Sequence, residues 1–104
     1  MSRYNLEITE PAESDLYQIG NYIAKELQEP VLAEKVVGKI GDTILSLEEM
    51  PFRNGLVRDE RLSYQGIRKI LIDNYVVFYI VSEENRTVTI VRILYCRRDW
   101  MNLV

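Results

Sequence analysis

The chain contains no histidine and a single cysteine, Cys96. These two absences remove much catalytic chemistry. A Cys/His zinc site cannot be assembled from them. A serine or cysteine nucleophile activated by histidine is excluded. An intrachain disulfide is impossible. The five glycines are dispersed, so neither a phosphate-binding loop nor a dinucleotide fingerprint is present. No acidic spacing points to a magnesium site, so no metal or cofactor is expected. The longest unbroken apolar run, Tyr75 to Val81, is far too short to cross a bilayer. The N-terminal residues lack the apolar core of a signal peptide. A cytosolic protein without a membrane partner is therefore expected.

What is present is ordinary for a globular domain. The 104 residues set one domain, 1–104, as the expectation. Charge is unevenly placed. Residues 1–50 hold 4 Lys/Arg against 10 Asp/Glu, a net of −6, and residues 51–104 hold 9 against 6, a net of +3. The second half carries the cationic surface, although the overall −3 argues against tight nucleic-acid binding. A local basic patch remains workable, because screening acts over only about 8 Å at physiological salt.

The patterning predicts an α+β fold in the order β-α-α-β-β-β. Tyr4, Leu6 and Ile8 alternate with polar neighbours, the period of a strand over 3–9. Thr9 or Glu10 can cap the helix that follows, and Pro11 suits its first turn. Ala12, Leu16, Ile19, Ile23 and Leu27 recur at helical spacing, predicting an amphipathic helix over 11–28. Pro30 opens a second helix, striped by Ala33, Val36 or Val37, Ile40, Ile44 and Leu47 and ended by Pro51. The short gap between the two forces an antiparallel hairpin. Gly38 and Gly41 lie inside the second helix, by close packing or by plain tolerance. Residues 52–65 read as a loop. Strands are expected over 66–73, 75–81 and 87–95, the first two joined by an Asp73-Asn74 turn. The last three strands form an antiparallel meander, the first strand joins the same sheet, and the hairpin covers one face.

The remaining reactive groups are arginine, lysine, tyrosine and carboxylate. Guanidinium groups can bind phosphate oxygens and stabilise a pentavalent transition state, and a shifted tyrosine or lysine can move a proton. The candidates are Arg68, Lys69, Arg92, Arg97, Arg98, Tyr75 and Tyr95. The plainer reading is that they are solvated charges guarding strand edges. Cys96 reads as a small residue at a strand end, though neighbouring arginines could activate it.

Three segments carry a resemblance: "ITEPAESDLYQIGNYIAKEL", "RDERLSYQGIRKILIDNYVVFYIV" and "VTIVRILYCRRDW". Together they resemble the RelE/ParE superfamily, the toxin halves of bacterial type II toxin–antitoxin modules, over almost the whole chain. The resemblance implies a helical hairpin on a small antiparallel sheet, in agreement with the periodicity. It implies a cognate antitoxin that wraps the toxin in a hetero-oligomer. It leaves two targets. RelE-like members cut mRNA in the ribosomal A site with cationic strand residues and no metal; ParE-like members poison DNA gyrase.

The nuclease pattern carries over only in part. Arg68 matches a basic position on the second strand, and Arg98 matches an arginine beyond the last one. Tyr95 stands where many relatives carry histidine. Nuclease members place an arginine one residue after the tyrosine matching Tyr75, and here that residue is Val76. The chain ends four residues after Trp100, so a late catalytic tyrosine is not expected. The resemblance therefore favours a gyrase-directed toxin, with a ribosome-dependent mRNA endonuclease as the alternative and a harmless adaptor as a third reading. Arg68, Arg98 and Tyr95 are the catalytic candidates under the nuclease reading. Arg68, Lys69, Arg92, Arg97, Arg98 and Trp100 are the candidates for partner binding, with Trp100 anchoring the tail.

Overall fold

The computed structural model describes residues 3–96. The first strand, β1, spans Asn5–Ile8. Thr9 then turns the chain into α1, Glu10–Asn21, where its hydroxyl accepts the Ala12 N–H at 3.2 Å. That bond satisfies one of the orphan donors of the first turn. Pro11 sits where its missing N–H costs nothing, and Glu10 and Glu13 face the positive end of the helix dipole.

The expected single helix to residue 28 is interrupted. Tyr22–Glu26 forms a π-helical turn, and Leu27 N–H reaches back to Tyr22 O at 3.2 Å. The wider ring accompanies a change of face. Ile23 is buried, while Tyr22 and Leu27 are exposed beside the sheet. Gln28 adopts φ 55° and reverses the chain into α2, Pro30–Ser46. Ala33, Ile40, Ile44 and the capping Leu47 are buried, as the helical stripe predicted. Gly38 and Gly41 are tolerated rather than required, since a Cβ built on either meets nothing within 4 Å. Gly38→Ala and Gly41→Ala are each expected to stabilise the fold by about 1 kcal/mol, readable as a higher urea midpoint. The close helix contact falls at Gly20 instead, whose Cβ would come 3.0 Å from Val37 Cγ2.

The segment expected as a loop is partly helical. Pro51–Arg53 makes a 3₁₀ turn. Glu60–Tyr64 forms α3, capped by Asp59, whose carboxylate accepts the Leu62 N–H at 3.1 Å. Gly66, at φ 81°, ends this turn in a conformation that disfavours a side chain. The strands follow as β2, Arg68–Ile72, β3, Tyr75–Ser82, and β4, Thr87–Tyr95. Asp73 takes φ 52° in the tight β2–β3 turn.

One four-stranded sheet results, in the order β1-β4-β3-β2. β1 runs parallel to β4, and the other pairs are antiparallel. The α+β architecture and the hairpin on a mainly antiparallel sheet are as expected; α3 is the added element. Its effect is to cover both faces of β3. Val77 and Tyr79 pack toward the hairpin with Ile40, Ile44, Leu47 and Ile90. Val76 and Phe78 pack on the opposite side with Val57, Leu62, Ile67 and Leu94.

Candidate functional site

β1 stops five residues short of the end of β4. Its pairing ends at Ile8 opposite Ile90, yet β4 continues to Tyr95. Buried strand edges must find partners for their backbone groups, and the start of α1 supplies them. Thr9 N–H donates to Ile90 O at 3.1 Å, and Thr9 Oγ1 donates to Val91 O at 2.9 Å. The Asp15 carboxylate accepts the Ile93 N–H at 3.0 Å. The same carboxylate takes Arg92 in a two-point grip, Nε to Oδ2 at 2.7 Å and Nη2 to Oδ1 at 2.8 Å. Among the described residues Asp15 is the buried charged one, 8% exposed. The Asp15 hydrogen bonds outweigh desolvation and hold the Arg92 guanidinium above its ordinary pKa. Arg92 is thus held against Asp15, with its side chain 19% exposed.

Past this ion pair, the end of the sheet opens into a groove of about 710 Å³ between α1, the π-helical turn and the β3–β4 ends. Its walls include Tyr22, Leu27, Tyr75 and Tyr95, with Gln18 and Asn74 as polar points. Tyr75 and Tyr95 lie directly opposite in the ladder. Their ring centroids are 5.8 Å apart and the planes meet at 70°, the edge-to-face contact that aromatic quadrupoles favour. Burial raises the Tyr75 pKa, with smaller contributions from the Tyr95 and Tyr22 phenols. Tyr22 and Leu27 escaped the sequence reading because a regular helix places Leu27 on the core stripe. The π-helical turn moves it into the groove.

Arg68 lies at the other end of the sheet. Its guanidinium donates to Asn54 O at 2.6 Å and lies 4.9 Å from the Phe52 ring centroid. Asn54 donates in turn to Tyr79 Oη at 3.1 Å, and Tyr79 Oη donates to Pro51 O at 2.8 Å. This network straps the 51–54 segment to the sheet, so Arg68 serves first as a strut. Arg68 pairs with Tyr79 and Tyr95 pairs with Tyr75, which separates them by about 13 Å along β3. Lys69 is half-buried opposite Phe78. Arg97, Arg98 and Trp100 lie outside the described residues. Cys96 is exposed, and its N–H closes onto Asn74 O at 2.8 Å.

Val76 decides what the far face can do. It is 3% exposed and closed into the apolar cluster beneath α3 by Leu62, Ile67 and Leu94. The position where nuclease-type relatives carry an arginine is therefore core.

Three phenols are shifted, Tyr75 in the groove and Tyr79 and Tyr4 outside it. Tyr75 and Tyr79 are both raised chiefly by burial. Tyr4 is raised chiefly by its hydrogen bond to Glu83, 2.7 Å long. A raised phenol keeps its proton longer in the folded state than in the unfolded one. Stability from these groups is thus fully present below about pH 10 and is lost as pH rises beyond it. Ultraviolet titration of the folded protein is expected to show a late-ionising fraction of tyrosine, which Tyr75→Phe and Tyr79→Phe each reduce.

A family model described as the ParE toxin of the type II toxin–antitoxin system parDE matches residues 6–100. The chain belongs to the ParE toxin family. It is the toxin component of a type II toxin–antitoxin system, within the RelE/ParE superfamily. Solved structures agree on the fold. The chain is similar to a chain of a chromosomal ParDE system from Pseudomonas aeruginosa, with TM-score 0.72 and 22% identity over 89% of this chain and 96% of that one. It is similar to a chain of the RelBE2 toxin–antitoxin complex from Mycobacterium tuberculosis, with TM-score 0.67 and 20% identity over 89% and 98%. It is also similar to a doubly substituted mutant of the Escherichia coli toxin RelE in the free state, with TM-score 0.65 and 16% identity over 91% and 85%. A search of curated protein sequences returned no significant match. Among the described residues no helix is long and apolar enough to cross a membrane.

Proposed function

We propose that this toxin arrests growth by inhibiting DNA gyrase and is neutralised by a cognate antitoxin segment that fills the tyrosine-walled groove. The single observation that carries the choice of target is the burial of Val76 in an apolar cluster. Phosphodiester cleavage without metal needs cations aimed at the phosphate as charge develops on it. Here the central-strand position holds an aliphatic side chain, and Arg68 is strapped to Asn54 O. The remaining mechanism is binding. An inhibitor needs surface, and this chain offers it in the groove and in the exposed side chains around it.

The antitoxin reading rests on the groove itself. Concave, mostly apolar sites with a few polar points are the usual receptors for a partner's anchoring side chains. Leu27→Asp and Tyr95→Ala are each expected to weaken antitoxin binding by about tenfold or more. Isothermal titration against the product of the adjacent gene checks this.

Expression of the toxin alone tests the target. Thymidine incorporation should fall before methionine incorporation, with induction of the DNA-damage response and intact mRNA. Prior loss of methionine incorporation, with in-frame cuts in ribosome-bound mRNA, would replace this reading with the nuclease one.

A further inference from the structure

A second groove lies on the outer face of the helical hairpin, away from the tyrosine-walled site. It has a volume of about 620 Å³. On α1 and the turn after it, Glu13, Leu16, Tyr17, Gly20 and Ala24 line it; on α2, Ala33, Glu34 and Val37 do so. The α1 positions recur every three or four residues, so they form one continuous stripe. The two helices approach closely at Gly20, where an added Cβ would touch Val37 Cγ2 at 3.0 Å. Small side chains at Gly20, Ala24 and Ala33 leave a trough between them. Tyr17 stands on its border, 72% exposed, an aromatic surface with no packing role in the core.

Charge identifies the occupant. The charged groups lining the trough are Glu13 and Glu34, one from each helix, and both are exposed. Neither forms an ion pair among the described residues. Residues 10–46 hold three lysines against seven carboxylates, a net of −4, so the surrounding field has the same sign. We propose that this trough is a docking site for a basic amphipathic helix, one with small apolar residues along its contact stripe and lysine or arginine on both flanks. The trough runs from Glu13 to Ala24, about 16 Å at the helical rise, which corresponds to about three turns of partner helix. Such a helix would lie between α1 and α2 as a third rod, its ridge seated in their groove. Its flanking cations would meet one carboxylate on each side. The hairpin of a second copy is a poor occupant, because it brings the same sign of charge.

This site is separate from the tyrosine-walled groove, and the inference does not depend on which process the toxin stops. The test uses the purified toxin and a side-chain-stapled helical peptide of about three turns, with an alanine–leucine stripe flanked by lysines. A matched peptide carries glutamate in place of each lysine. The lysine peptide is expected to bind, measured by fluorescence anisotropy, with affinity that falls as salt is raised. Glu13→Lys combined with Glu34→Lys should weaken it by about tenfold or more and should gain binding of the glutamate peptide. That exchange of preference also shows that the variant is folded. Ala24→Trp, which fills the trough without altering charge, should weaken both pairings. Equal binding of the two peptides, no binding of either, or indifference to the charge reversal would overturn the proposal.

Discussion

Asp15→Ala is expected to lower the unfolding free energy by about 3 kcal/mol or more, the usual cost of leaving a buried charge without its partner. Three contacts disappear together: the two from Arg92 and the one from Ile93 N–H. Arg92 is only 19% exposed at its side chain, so water cannot fully replace the carboxylate. The Ile93 amide sits where β1 no longer covers β4. For a domain of this size, such a loss corresponds to a fall in melting temperature of roughly 12 °C or more. Urea denaturation of the two proteins measures it. Asp15→Asn should cost less, because an amide oxygen can still accept from Ile93. Asp15→Ala combined with Arg92→Leu should recover part of the loss, since an apolar replacement removes the stranded charge. Equal stability of Asp15→Ala and the unmodified chain would mean that the pair contributes nothing.

Val76→Arg is expected to cost about 4 kcal/mol or more, the range reserved for an unpaired charge forced into a core. The substitution restores by sequence the arginine that nuclease-type relatives carry. It does so at a site enclosed by Val57, Leu62, Ile67, Phe78 and Leu94. The outcome should be loss of the cooperative fold, or expulsion of α3, seen as exposure of apolar dye-binding surface. No cleavage of ribosome-bound mRNA should appear. A Val76→Arg protein that melts like its parent and cuts mRNA would show that the face beneath α3 is an open catalytic surface.

Much of this architecture was legible because local and global signals agree. The β-branched run of β4 and the Thr9-Glu10-Pro11 start of α1 state their conformations directly, and the structure follows them. The break at Tyr22–Glu26 was not legible. Ile23 and Leu27 fit a regular helix equally well, and the π-helical turn is selected by packing against the sheet rather than by propensity. α3 was obscured because it is one turn long, although Asp59 three residues before Leu62 is a capping signal in hindsight. The site was legible as residue types and less so as geometry. Sequence placed Arg68, Arg92 and Tyr95 in one cationic half. The fold separates them, with Arg68 strapped to a loop, Arg92 gripped by Asp15, and Tyr95 set against Tyr75. Pairings between residues 77 positions apart, such as Asp15 and Arg92, leave no trace in local spacing.

The proposed action of this toxin is to bind gyrase and not to cut RNA. It is tested most directly with purified gyrase, relaxed plasmid and ATP, titrated with purified toxin. The account predicts loss of supercoiling with accumulation of gyrase–DNA cleavage complexes, both reversed by the antitoxin. Undiminished supercoiling at molar excess of folded toxin would contradict it.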